Sequence, residues 1–129
     1  MIASALMCMA LAVYSEARGE PYKGQVAVAS VVLNRATKNN TDVCTEINKN
    51  GQFPWAKTKF KKVKGKYHLI VNHMKPDDAW FSALTLASNM LEGTEKAIPK
   101  LIAFDSKPHP EWKLAKAYKI GNHHFYKES

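Results

Sequence analysis

The residue with the clearest chemical use is Glu16, in the stretch Tyr14-Ser-Glu-Ala-Arg-Gly-Glu20. Cleaving a glycosidic bond requires a proton on the leaving oxygen. A Glu in a partly apolar setting, its pKa raised, is suited to deliver that proton. Glu16 follows an almost wholly apolar run from Met1 to Tyr14, and the helix break at Gly19 sets it where a helix end can meet a cleft. Arg18 opposes this use only if the two side chains touch. A charged helix end in water is the plainer account of the same pattern. Glu20 lies four residues on, but Gly19 and Pro21 interrupt the helical geometry between the two carboxylates. Glu20 therefore reads either as a second carboxylate or as a cap on the following helix, whose first turn favours acidic groups. Two-carboxylate glycosidases hold their pair roughly 5 to 10 Å apart. Asp105 and Glu46 are further candidates for such a partner.

Gln52-Phe-Pro-Trp55 places an amide and two aromatic rings in a loop. Aromatic faces pack on the apolar faces of sugar rings, and amides bond hydroxyl or N-acetyl groups. Loop aromatics also fold back on a core, so the signal is weak alone. His123 and His124 are adjacent on an expected strand and point to opposite faces. His68 and His73 lack metal-ligand spacing, and no metal or cofactor is expected.

The elements that must position these groups follow from pattern. Ile2 to Arg18 is rich in Ala, Leu and Met and predicts a helix, stopped by Gly19. Pro21 suits the first turn of a second helix, which runs to Arg35 with Val26, Ala29, Val32 and Leu33 at core spacing. Lys38 to Thr41 reads as loop, and Asp42 to Asn48 as a short helix capped by Thr41 or Asp42. Asn50-Gly51 marks a turn. Gln52 to Lys66 reads as loop or irregular hairpin, and Tyr67 to Lys75 as a helical turn or two. A clearer helix begins near Pro76-Asp77-Asp78 and ends at Glu92-Gly93, with Trp80, Leu84, Ala87 and Leu91 as its core stripe. Leu101 to Phe104 and Lys119 to Tyr126 read as strands, separated by a short helical piece from Glu111 to Ala117. The class is α+β, mostly helical, with a small antiparallel sheet, in a single domain over residues 1–129.

The 129 residues carry a net charge of +8, concentrated in Lys57–Lys66 and Lys96–Lys119. Such a field favours polyanions such as nucleic acid, anionic membrane or bacterial wall. A solvated lysine-rich surface is the bland alternative. Cys8 and Cys44 are 36 positions apart without metal spacing, and the expectation is two small, buried, reduced residues. The apolar N-terminal run lacks a basic segment before Arg18 and is too short for a membrane span. It reads as a buried core helix rather than a signal.

The run from Tyr14-Ser-Glu-Ala-Arg-Gly-Glu-Pro-Tyr-Lys-Gly-Gln to Val-Val-Leu-Asn-Arg35 strongly resembles the opening of the spore-cortex-lytic, SleB-type cell-wall hydrolase family. Asp42-Val-Cys44, Gly51-Gln-Phe-Pro-Trp55, Ala103-Phe104, Trp112 and Ile120-Gly-Asn-His-His-Phe-Tyr126 resemble later family segments in the same order. The resemblance implies a lysozyme-like fold. It implies lytic transglycosylase chemistry between N-acetylmuramic acid and N-acetylglucosamine, with Glu16 as the catalytic acid and no cofactor. Gln52, Phe53, Trp55, Tyr22 and His123 are the substrate-binding residues it suggests, with Glu20 as second carboxylate or cap.

The implied partner is bacterial peptidoglycan, with anionic wall polymers on the basic surface, no specific nucleic acid, and a monomeric enzyme. The implied place of action is the cell wall. No signal peptide is recognised, and the basic run after Trp55 fits a stand-alone enzyme such as a phage endolysin or virion-associated lysin; a catalytic domain trimmed from a longer protein fits as well. Two alternatives stay open: a muramidase that uses water, and a non-enzymatic basic module binding wall polymer or nucleic acid.

Overall fold

The computed structural model describes residues 2–49, 51–70 and 77–128. Helix α1 (Ala5–Ala17) starts where the Ser4 hydroxyl accepts from the Met7 amide at 3.1 Å. Cys8 through Tyr14 are all buried, so the helix is covered on every side and forms the middle of the core. This is the packing that an all-round apolar sequence dictates. The expected buried run is core only from Cys8 onward, since Ile2, Ser4, Ala5 and Leu6 are exposed.

Helix α2 (Tyr22–Asn39) follows Pro21. It runs past Arg35, where a loop was expected, because nothing from Ala36 to Asn39 breaks a helix. Asn40 ends it in the left-handed region, φ 53°, a conformation Asn tolerates better than most residues. Helix α3 (Val43–Ile47) is capped by Asp42, which accepts from the Thr45 amide at 2.8 Å.

Cys8 of α1 and Cys44 of α3 form a disulfide, their Cα atoms 5.3 Å apart. This corrects the expectation of reduced thiols. The pairing depends on α3 docking against α1, which a separation of 36 residues does not announce.

After the Gln52–Trp55 loop comes a one-turn helix, α4 (Ala56–Lys59), then an antiparallel hairpin of β1 (Phe60–Val63) and β2 (Lys66–Leu69). Residues 67–69 are therefore strand, not the helical turn expected there. The remainder of that expected turn, Val71–Lys75, lies outside the described residues, as do Asn50, His73 and Pro76. Helix α5 (Asp78–Glu92) is capped by Asp77, accepting from the Trp80 amide at 2.8 Å, and closed by Gly93. Its buried stripe is Trp80, Ala83, Leu86, Ala87 and Met90. The face is rotated from the expected one: Leu91 is 38% exposed.

The second sheet contains β3 (Leu101–Asp105), β4 (Ala115–Ile120) and β5 (His123–Lys127) in the order β3-β5-β4, all antiparallel. The single expected strand over Lys119–Tyr126 is two strands folded about Gly121-Asn122. The expected helical piece Glu111–Ala117 is instead loop and the start of β4. Its Lys, Leu and Ala favour helix, but the pairing of Ala115–Ile120 with β5 overrides that preference.

The whole is α+β, mostly helical with small antiparallel sheets. One core cluster joins α1, α3 and α5. A second, of Ala17, Ala27, Val28, Val31, Leu101 and Phe125, glues α2 to the three-stranded sheet. No described helix is long and apolar enough to cross a membrane.

Because the disulfide ties α1 to α3 across a buried contact, its loss is felt by the core. Reductant is expected to lower the unfolding free energy by roughly 2–4 kcal/mol, measured by urea unfolding with and without dithiothreitol. An unchanged midpoint would contradict the link.

Candidate active site

Glu16 sits in the last turn of α1, partly buried. The Trp55 indole N–H donates to its Oε2 at 2.8 Å. Among the described residues no other hydrogen bond reaches this carboxyl. Arg18 turns away: its guanidinium donates to the Tyr14 hydroxyl at 2.5 Å and lies over that ring. Tyr14 in turn donates to Asp77 at 3.2 Å, fixing the end of α1 to the start of α5.

A cleft of about 410 Å³ opens at Glu16. It takes Arg35 from α2, Gln52 and Phe53 from the loop, Phe104 and Asp105 from β3, Trp112 from the segment before β4, and His123 from β5. One face of α2 holds these parts in register. Ser30 accepts from the Ile98 amide at 2.8 Å, and the Asn34 amide donates to the carbonyls of Ile98 and Leu101 at 2.9 and 2.8 Å. Arg35 donates through Nε to the Ile102 carbonyl at 2.7 Å and through Nη1 to the Gln52 Oε1. Burial pulls the Arg35 pKa down, and the nearby Glu46 charge pulls it back. Arginine nonetheless stays charged.

Of the residues singled out in the sequence, the cleft gathers Glu16, Gln52, Phe53 and His123. Trp55 serves as the donor to Glu16 rather than as a wall of the cleft. Tyr22 lies elsewhere, in a groove of about 420 Å³ shared with Phe81 of α5, and its hydroxyl bonds Glu95. Glu20 does not cap α2, whose N-cap residue Pro21 makes no side-chain bond. It accepts instead from the backbone N–H of Asn122 at 2.8 Å and from the Asn122 side chain at 3.2 Å.

The other carboxylates have distinct surroundings. Glu46 is buried among Asn39, Thr41 and Lys49 and does not line the cleft. Its burial alone would raise its pKa, but the bonds from these three neighbours outweigh that and leave it lowered. Asp105 does line the cleft, and its carboxylate is bonded to His109 Nε2 at 2.6 Å.

Arg35, Phe104 and Trp112 were not assigned roles from the sequence. The signal was there for Arg35, a basic residue inside a helix whose neighbours are core.

His109 makes a clamp at the rim of this cleft. Its Nδ1 meets Glu111 at 2.7 Å, its Nε2 meets Asp105, and its ring stacks on Trp112 at 4.1 Å. The bonds to Glu111 and then Asp105 raise the His109 pKa. The bond from His109 is the main cause that lowers both carboxylates.

The sequence profile of the Cell Wall Hydrolase family matches residues 19–126. Glu20, Gln52, Phe53, Trp55 and His123 fall inside that match, and Glu16 stands just ahead of it. The chain is also similar to the spore cortex-lytic enzyme of Bacillus cereus, 69% identical over 32 residues, covering 25% of this chain and 12% of that protein. The spore cortex-lytic enzyme of Oceanobacillus iheyensis is 73% identical over 30 residues, 23% of this chain and 11% of its own. That of Bacillus subtilis is 74% identical over 27 residues, 21% and 9% respectively. The matched stretch thus spans about a tenth of these relatives' length. No solved structure matches the chain.

The clamp has a defined pH window. The part from His109 is present below the ordinary imidazole pKa and is lost as pH rises through its raised value. The parts from Asp105 and Glu111 are present above the ordinary carboxylate range and are lost as pH falls through their lowered values. The clamp is therefore complete between about pH 4 and 6.5. An NMR titration should place the His109 midpoint above the ordinary imidazole value, and Glu111→Gln should move it down. A wild-type midpoint at or below the ordinary value contradicts the clamp.

Proposed function

Because this chain belongs to the cell wall hydrolase family, we propose that its cleft binds peptidoglycan glycan strands and that Glu16 cleaves the bond between N-acetylmuramic acid and N-acetylglucosamine. The observation that carries this is the Glu16 carboxyl itself, one oxygen held by Trp55, at a cleft lined with an amide and aromatic rings. Glu16 protonates the glycosidic oxygen through Oε1, and the bond from C1 to that oxygen breaks. The substrate's own acetamido oxygen shields the developing cation, as in substrate-assisted glycosidases. Glu16, now a carboxylate, takes the proton from the muramoyl C6 hydroxyl, and O6 closes on C1 to give a 1,6-anhydro ring. The proton lost in the first half is regained in the second, so Glu16 returns unchanged and no water is consumed.

A second reading is favoured by the position of Asp105, a second carboxylate lining the same cleft. There, Asp105 activates a water and the enzyme is a hydrolytic muramidase. Asp105 is already engaged by His109 and by the Ser106 amide at 2.6 Å, which leaves it less able to take a proton.

The basic surface supports a wall address. Lys57, Lys59, Lys61, Lys62, Lys64 and Lys66 lie along α4 and the β1–β2 hairpin, and among the described residues none of them makes an ion pair. They fit anionic wall polymers. A disulfide suits an oxidising setting outside the cytoplasm.

Turbidity loss of purified walls tests the roles. Glu16→Gln keeps the shape and the Trp55 partner but removes the acid, and the rate is expected to fall by about 10²-fold or more. Trp55→Phe should be milder, and Asp105→Asn close to wild type. A Glu16→Gln enzyme that clears walls at the wild-type rate refutes the assignment, and an inert Asp105→Asn moves it to the water-using mechanism. Replacing Lys61, Lys62 and Lys64 with Gln should weaken wall binding at low salt and flatten its salt dependence. Unaltered binding would mean the hairpin is only a solvated face.

A further inference from the structure

His123 presents an unanswered polar atom. Its side chain is 12% exposed, and its Nδ1 is sealed from solvent without a hydrogen-bond partner among the described residues. Burying such a nitrogen costs free energy unless something completes it. The ring is packed edge-on between Phe104, centroids 5.0 Å apart, and Phe125 at 5.9 Å, so it has little freedom to turn. Nδ1 points toward Glu20, whose Oε1 is 3.8 Å away. With Nδ1 facing Glu20, the nitrogen left for the cleft is Nε2.

Glu20 is placed for this by the chain itself. It occupies the junction between α1 and α2, and its carboxylate is inserted against the β4–β5 turn. Gly121 takes φ +56°, and a Cβ there would meet the Glu20 Oε1 at 2.1 Å, so only glycine admits the carboxylate. Glu20 Oε1 already accepts from the Asn122 N–H, and a carboxylate oxygen has a second lone pair for another donor. A separation of 3.8 Å is too long for a hydrogen bond, but such contacts are often long without substrate and shorten when it binds.

We propose that Glu20 is a positioning residue that receives the Nδ1–H of His123, so that His123 presents its bare Nε2 to the cleft as an acceptor for a sugar hydroxyl or acetamido N–H. The tautomer of an imidazole is set by what its other nitrogen bonds, and here that partner is a carboxylate outside the cleft. His123 thereby contacts substrate and Glu20 acts only through it. This rests on the reading of the Glu16 cleft as a glycan site. It gives Glu20 work that is neither a helix cap nor a second acid.

The tautomer is directly measurable. Ring nitrogen shifts of neutral His123 in the wild-type protein should show Nδ1 protonated; Nε2 protonated instead overturns the proposal. Glu20→Ala should lose the Nδ1–H form and lower turnover on walls at least about tenfold, whereas Glu20→Gln, which keeps an oxygen at that point, should recover part of both. Asn122→Ala removes a bond to Glu20 without touching His123 and should stay near wild type. If Asn122→Ala falls as far as Glu20→Ala, Glu20 serves only to hold the turn and the proposal fails. Should Glu20→Ala not fold, the wild-type tautomer and the Asn122→Ala rate still decide. Walls left intact by a wild-type protein with Nδ1 protonated would instead overturn the cleavage reading alone.

Discussion

Trp55 reaches back across 39 residues to place its indole N–H on Glu16, and most of the fold serves that one bond. The carboxyl end of it is anchored because α1 is buried from Cys8 to Tyr14 and at Ala17 and is stapled to α3. The indole end is fixed because the loop before it is docked, with Phe53 buried in the core and Gln52 gripped by Arg35. Arg35 also holds β3 through the Ile102 carbonyl. A helix end, a loop and a sheet edge are thereby joined through one face of α2. Catalytic groups need such second supports, since a misplaced donor or acid forfeits much of its effect.

The acidic side chains near the site differ in what they have left to give. Asp105 is committed to His109 and Ser106. Glu20 is committed to the turn at Asn122. Glu46 is sealed beneath α2 and α3. Glu46 keeps an oxygen without a partner among the described residues too, but a buried one away from the cleft. Of the carboxylates lining the cleft, Glu16 combines a fixed oxygen with one that no described residue bonds. That contrast favours a single carboxyl that both gives and takes the proton. The aromatic rings do related work. Phe53, Phe104 and Phe125 touch in series and end on His123, so the apolar cleft wall is continuous with the core.

The sequence disclosed those features whose cause is local. Helices α1, α2 and α5 follow from composition, caps and breakers, and Asp42 was one of two candidates for the α3 cap, with Thr41 the other. Features set by distant partners were not. The disulfide needs α3 to find α1. The clamp of Asp105, His109 and Glu111 needs the segment after β3 to fold back. Helix-forming residues around Lys113–Ala117 were overridden by pairing with β5. The β1–β2 hairpin was one of the two readings open for Gln52–Lys66, and its second strand runs on into residues read as a helical turn. Glu16 itself was ambiguous on local chemistry, a charged helix end like many others. The ordered resemblance across the chain singled it out, and the geometry then supplied Trp55 as its donor. Glu20 shows the reverse: its position near a helix start suggested a cap, and only the folded turn at Gly121 reveals what it meets.

Mass spectrometry of the fragments released from purified peptidoglycan tests the single-carboxyl account most directly. The account predicts muramoyl ends closed as 1,6-anhydro rings, lighter by one water than hydrolytic products. Reducing muramic ends, carrying oxygen from solvent when digestion is run in isotopically labelled water, would contradict it.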